Sequence, residues 1–121
     1  MHLIASVTLG GFLILASILH VAAPARVQTL VPQWWPAPRA TVYLSGLVEL
    51  LLGIGLFFDA TRVTAGVLTA VLFAGYVGVH ADDLRHVRTA SRWFDSLPGV
   101  LLRVLANVAY VGWALYAGLG G

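Results

Sequence analysis

Between Tyr43 and Phe58 the chain is an apolar run, Tyr-Leu-Ser-Gly-Leu-Val-Glu-Leu-Leu-Leu-Gly-Ile-Gly-Leu-Phe-Phe, with one carboxylate, Glu49, near its middle. The other acids, Asp59, Asp82, Asp83 and Asp95, stand at or beyond the ends of apolar runs. If the run crosses a bilayer, Glu49 lies in hydrocarbon, where an ionisable group costs about 2.5–3.5 kcal/mol on insertion scales and is normally turned inward and paired. The fold must therefore bring other helices, with polar groups on them, to Glu49.

The 121 residues are 60% hydrophobic and 10% charged, with a mean hydropathy of +0.90, whereas a soluble domain carries about 25% charged residues. This is the composition of a membrane protein. At about 20 residues per span, the chain accommodates four spans and short loops in a single domain. The expected fold is all-α, an antiparallel four-transmembrane-helix bundle. The net charge of +2 comes from seven Arg, no Lys and five acids, and most of the Arg lie in two loops, so nucleic acid is not an expected partner. The absence of Cys excludes a disulfide, a thiolate metal site and a thiol relay within this chain. A redox role would need a bound cofactor or a partner's thiols. The first apolar segment lacks a basic n-region, and Ala22-Ala-Pro24 is a poor cleavage site, so it is read as a helix rather than a signal peptide.

The first span is expected from Leu3 to about Ala23, closed by Pro24, because the residue before a proline is pushed out of helical geometry. His20 stands one turn from its end, in a stripe with Ser6, Gly10, Leu13 and Ser17 that should face protein. The loop from Pro24 to Arg39 contains Val31-Pro-Gln-Trp-Trp-Pro-Ala-Pro38. Its prolines forbid a regular helix, and Trp34 and Trp35 favour the headgroup region, so it reads as an interfacial lid. The second span, Thr41 to Phe58, places Ser45, Glu49 and Gly53 on one face, with Gly46 beside it. Asp59 to Arg62 is a connection short enough to join antiparallel neighbours. The third span, Val63 to Ala81, has Gly66, Ala70, Ala74 and Gly78 at strict four-residue spacing, a ladder expected to mark a close helix contact. An adjacent face presents Thr69, Phe73, Tyr76 and His80. From Asp82 to Leu97 the chain is charged, and Trp93 and Phe94 suggest a short surface helix with a solvated Asp82-Asp83 and Arg run. Pro98 starts the fourth span, to about Gly118, with Arg103, Asn107 and Tyr110 on one stripe. The Arg count places the first and third loops in the cytoplasm and both termini outside.

At about 1.5 Å per residue, Glu49 and Asn107 lie about 12–14 Å below the surface on the side of the first and third loops. Arg103 lies about 7 Å deep and His20 and His80 about 5 Å deep by the same rise. The gap of about 5 Å between Glu49 and Arg103 is within reach of an Arg side chain, so a Glu49–Arg103 ion pair is expected, bidentate if the two helices are adjacent. Such a pair either fixes the helix arrangement or belongs to a ligand or proton site. His20 and His80 are candidates beside it as titratable groups. Two His and one Glu at different depths make no compact metal-ligand set.

Several of these residues together carry a resemblance. His20 near the end of the first span, Val31-Pro-Gln-Trp-Trp-Pro-Ala-Pro-Arg-Ala40, and Tyr43-Leu-Ser-Gly-Leu-Val-Glu49 with Gly53, Gly55 and Leu56 resemble the DoxX-like family of small four-helix membrane proteins. Leu102-Arg103 with Asn107 is similar to the family's late Leu-Arg-x-x-x-Gln, with Asn for Gln. His80 matches the end of its Asn-x-His, whereas Tyr76-Val77-Gly78 stands where Pro-Ala-Asn is expected. The resemblance implies the four-helix fold, a bacterial inner-membrane location and an association with respiratory or thiol redox systems, since one relative is a subunit of a thiosulfate:quinone oxidoreductase.

Two functional readings follow. In the first, the chain is a redox-linked membrane subunit with a pocket for a quinone or another lipid-soluble ring, roofed by Trp34 and Trp35, walled by Phe73 and Tyr76 and floored by Glu49, Arg103 and Asn107, with His20 and His80 near its oxygens. In the second, it is a non-enzymatic structural or lipid-binding subunit that joins a larger membrane complex, or a second copy of itself, through the third-span ladder. No NAD, flavin or phosphate motif is present, and the residues define a pocket rather than a reaction.

Overall fold

Every apolar run becomes a helix, because a helix satisfies its backbone groups within itself, as a segment in hydrocarbon must. The computed structural model describes residues 1–89 and 92–120. It contains four long helices, α1 (His2–Ala22), α3 (Pro38–Gly55), α4 (Arg62–Asp82) and α5 (Leu97–Leu119), and a short α2 (Pro24–Gln28). Three segments are long and apolar enough to cross a membrane: His2–Ala22, Arg62–Arg88 and Leu97–Leu119. The remaining long helix, α3, opens on Pro38 and Arg39 and carries Glu49, which lowers its apolarity.

Several boundaries differ from the sequence reading. Pro24 ends α1 as expected and then begins α2 at a position where a proline's missing N–H is harmless. In the same way α3 starts at Pro38, three residues earlier than expected, and its entry is set by Ala37 in the left-handed region (φ 50°). The charged segment forms 3-10 turns, Asp83–Thr89 and Trp93–Asp95, instead of a surface helix. Ala90 and Ser91 of that segment lie outside the described residues.

The long helices form a four-cornered bundle in the order α1, α3, α4, α5, each packed on antiparallel neighbours. The most extensive contacts are α4 with α5 and α1 with α3, and α3 meets α4 much more sparingly. Small residues explain the close pairs. A Cβ added at Gly66 would sit 2.5 Å from the Gly118 Cα, and one at Gly10 would sit 2.8 Å from the Gly53 carbonyl oxygen, so these backbones touch directly. Between the pairs, Phe12 of α1, Phe73 of α4 and Tyr110 of α5 meet at ring separations of 5.1 Å (Phe12–Tyr110) and 5.2 Å (Phe73–Tyr110). Trp113 Nε1 donates to the Ala5 carbonyl at 3.0 Å, and Ser6 Oγ donates to the Leu56 carbonyl at 2.5 Å.

Burial differs from that of a soluble bundle chiefly on the outside. The interior combines an apolar core, Leu9, Leu13, Leu56 and Phe73 among it, with Ser6, Ser17, His20, Glu49, Thr69, His80, Arg103 and Asn107, while Leu15, Ile18, Leu44, Leu51, Val71 and Leu105 are exposed. An exterior of large aliphatic side chains around an interior that holds buried polar groups suits hydrocarbon and not water.

The third-span ladder packs over only half its length. Gly66 and Ala70 are buried, but Ala74 and Gly78 are exposed, and a Cβ at Gly78 would meet nothing within 4 Å. The expectation that Ala74 lies in a close contact within the bundle is therefore corrected: α4 turns its later small residues away from α5, because the aromatic Phe73 and Tyr76 take the inward face. Gly66→Ala should cost about 1–3 kcal/mol by overpacking against backbone that cannot yield. Gly78→Ala should leave the thermal midpoint in detergent unchanged, and a melting series of the two variants checks both.

Candidate functional site

Where α3 and α4 part, a cavity of about 690 Å³ opens between α1, α3 and α4. The helices are held together at the opposite end, where a Cβ on Gly55 would lie 3.1 Å from that of Ala65. Toward the first loop they diverge, and Val27, Leu30, Val31, Pro32 and Trp35 line the opening with Leu72 and Val79. The polar side chains on this wall are few: His20, Thr41, Ser45, Glu49, Tyr76 and His80.

Glu49 is the centre of the group, 3% exposed and reached from both neighbouring helices. Tyr76 of α4 donates its hydroxyl to Oε1 at 3.0 Å. His20 of α1 stands with Nδ1 3.4 Å from Oε2. The same Nδ1 donates to the Ala16 carbonyl at 2.7 Å, a contact that places a proton on Nδ1 and aims the ring. Gly46 makes the approach possible, since a Cβ there would lie 2.8 Å from the His20 Cβ and 3.1 Å from its Cγ. Oε2 of Glu49 is buried without a hydrogen-bond partner among the described residues. A buried acceptor left open is costly unless something else fills it.

The expected Glu49–Arg103 pair does not form. Arg103 turns toward the membrane surface, where Nη1 donates to Asp83 Oδ2 at 3.1 Å and Nη2 to Asp95 Oδ1 at 3.4 Å. Its guanidinium also lies 4.4 Å from the centre of the Phe94 ring, a cation–π contact. Nη1 further contacts His80 Nδ1 at 3.3 Å. Depth counting cannot distinguish these partners, because Asp83 and Asp95 reach Arg103 from the loop side at the same level. The reading of Asp82-Asp83 as a solvated pair is corrected for the same reason. Asp83 anchors Arg103, and Asp82 Oδ2 accepts from Trp34 Nε1 at 2.9 Å while Asp82 also pairs with Arg85. The available signal was a lone Arg one turn inside a span beside acids in the adjoining loop.

Of the residues named from the sequence, the structure brings His20, Trp35, Glu49, Tyr76 and His80 to one cavity. Trp34 is outside it, 60% exposed and tied to Asp82, though its ring stands 5.5 Å from that of Trp35. Phe73 is not a wall; it is buried in the aromatic core, 6.1 Å from the Tyr76 ring. Asn107 is not a floor, since its Nδ2 donates back to the Arg103 carbonyl at 2.8 Å within α5. Ser45 and Thr41 line the cavity and were not singled out as ligand residues from the sequence. Among the described residues no three His, Cys, Asp or Glu side chains gather as a metal-ligand set.

Three helices able to cross a membrane, an aliphatic exterior and a buried polar cluster define a helical, multi-pass membrane protein. The model of a family described as a domain of unknown function, DUF8561, matches residues 9–117. That match takes in all of α3 and α4 and most of α1 and α5, and the chain belongs to this family. No curated protein and no solved structure matches the chain.

The two polar clusters should behave independently. Double-mutant cycles read by thermal unfolding in detergent are expected to give a coupling of about 0.5–3 kcal/mol for Arg103→Leu with Asp83→Asn. Glu49→Gln combined with Arg103→Leu should be additive within about 0.5 kcal/mol.

Proposed function

We propose that the chain is a DoxX-like membrane protein of four spans whose cavity holds a quinone or a similar lipid-soluble ring, as a redox-linked subunit. The observation that carries this reading is the open Oε2 of Glu49 at the wall of an otherwise apolar cavity. Ligand sites are commonly about 300–1,000 Å³ and mostly apolar, with a few polar groups that orient the occupant; about 690 Å³ with His20, Glu49 and Tyr76 on one side fits that description. His20 and Glu49, side by side, are placed to exchange protons with a ring oxygen. Electrons would come from a partner or a bound cofactor, since the chain has no Cys.

Four spans follow if α3 crosses with its neighbours. Its 18 residues give about 27 Å at 1.5 Å per residue, close to the hydrocarbon thickness of about 30 Å. It is packed between α1 and α4, which are both long and apolar enough to span. Cysteines introduced at His2 and Gly120 should then show equal reactivity toward a membrane-impermeant label in intact membranes. Opposite reactivity would require an odd number of spans.

Ligand identity is tested by solvent extraction and mass spectrometry of protein purified in mild detergent. A quinone-class molecule is expected in stoichiometric amount. Gly75→Phe, which puts a ring where a Cβ meets nothing within 4 Å and beside the cavity, should keep the fold and lose it. A second reading, a non-enzymatic subunit of a larger membrane complex, is favoured by the exposed Ala74 and Gly78 on α4, where another helix can approach closely. Preparations carrying phospholipid alone would favour that reading.

A further inference from the structure

Resting on the cavity as a ligand site, we infer that its occupant must present a hydrogen-bond donor to Glu49: a hydroxyl on an apolar ring, as a quinol has and a quinone lacks. The inference comes from counting which polar atoms on the wall are already used. Trp35 Nε1 donates to Thr41 Oγ1 at 2.8 Å, Thr41 Oγ1 to the Ala37 carbonyl at 3.1 Å, and Ser45 Oγ to the Val42 carbonyl at 3.0 Å. Tyr76 gives its hydrogen to Glu49 Oε1, and His20 Nδ1 gives its hydrogen to Ala16. These donors are satisfied within the protein. Glu49 Oε2 is an acceptor, buried and open. The groups that face the carboxyl are donors, the Tyr76 hydroxyl on Oε1 and the Nδ1–H of His20 3.4 Å from Oε2, the surroundings of an ionised carboxylate, which only accepts.

Nearer the surface the order is reversed. Arg103 has donors only, so its contact with His80 Nδ1 makes that nitrogen the acceptor and leaves the ring proton on Nε2. His80 is therefore a donor at the cavity's shallow end and Glu49 an acceptor at its deep end. A quinol oxygen can serve either end, because a hydroxyl both donates and accepts. A carbonyl oxygen can serve His80 but leaves Glu49 Oε2 unmatched. The site thus distinguishes the two redox forms of one ring without any change in its apolar walls.

The test compares two probes with the same apolar body, 4-pentylphenol and its methyl ether 4-pentylanisole, titrated into the purified protein with saturable quenching of tryptophan emission as the readout. The phenol should bind about 10- to 100-fold more tightly, the ratio for one hydrogen bond to a charged group. Glu49→Gln should reduce that ratio several-fold or more. Tyr76→Phe, which leaves the carboxylate in place, should keep it, so the comparison survives if one variant fails to fold. Equal, saturable binding of both probes to the unaltered protein overturns the donor requirement and leaves the cavity a ligand site. A phenol preference fully retained in folded Glu49→Gln also overturns it. If neither probe saturates, the ligand-site reading and this inference fall together.

Discussion

A carboxylate in the middle of an apolar helix can stay in hydrocarbon only where neighbouring helices supply its partners, and the contact of Glu49 with His20 and Tyr76 meets that condition. It ties α1, α3 and α4 at one depth. The geometry around it depends on small residues: Gly46 admits the His20 ring, and Gly10 against Gly53 brings α1 close enough for that ring to reach across. The cavity arises from the same arrangement. Once α3 is held against α1 by a close backbone contact and α4 against α5 by another, α3 and α4 are left apart wherever no small residues face each other.

The choice of partners has a chemical meaning. Arg keeps its charge throughout the accessible range of pH, and an Arg beside Glu49 would have fixed a permanent ion pair in the core. Buried pairs of that kind serve helix arrangement more than chemistry. Instead the permanent cation is drawn to the surface by Asp83 and Asp95 and capped by Phe94. Glu49 keeps a titratable imidazole and a phenol hydroxyl as its company. The separation leaves one polar cluster near the headgroups and another facing the cavity.

Much of this was legible in the sequence. The helices follow from the apolar runs, and Pro24 and Pro98 mark their boundaries. The inward stripe of α1, Ser6 to His20, follows from three- and four-residue spacing, because in a membrane the small and polar residues are the ones that must face protein. Glu49 as the centre of the site follows from its isolation. What could not be read was azimuth. Counting residues gives depth along a helix, and at the depth of Glu49 the sequence offers partners on several helices without saying which corner each occupies. The Arg103 misassignment and the outward turn of Ala74 and Gly78 have this one cause. The roles of Asp82, Asp83 and Trp34 were hidden for a different reason: charged loop residues look the same in sequence whether they meet water or close over a buried group.

The aliphatic exterior has a consequence for how such a chain can change over generations. The three helices able to cross a membrane, α1, α4 and α5, each commit one stripe to their neighbours and offer side chains such as Leu15, Leu68 and Leu105 to lipid, which accepts one aliphatic residue as readily as another. Exchanges among Leu, Ile, Val and Phe on those faces alter neither packing nor the polar clusters. Lineages that share this fold can therefore drift apart over most of their surface while a few glycines, one acid and its imidazole stay in register.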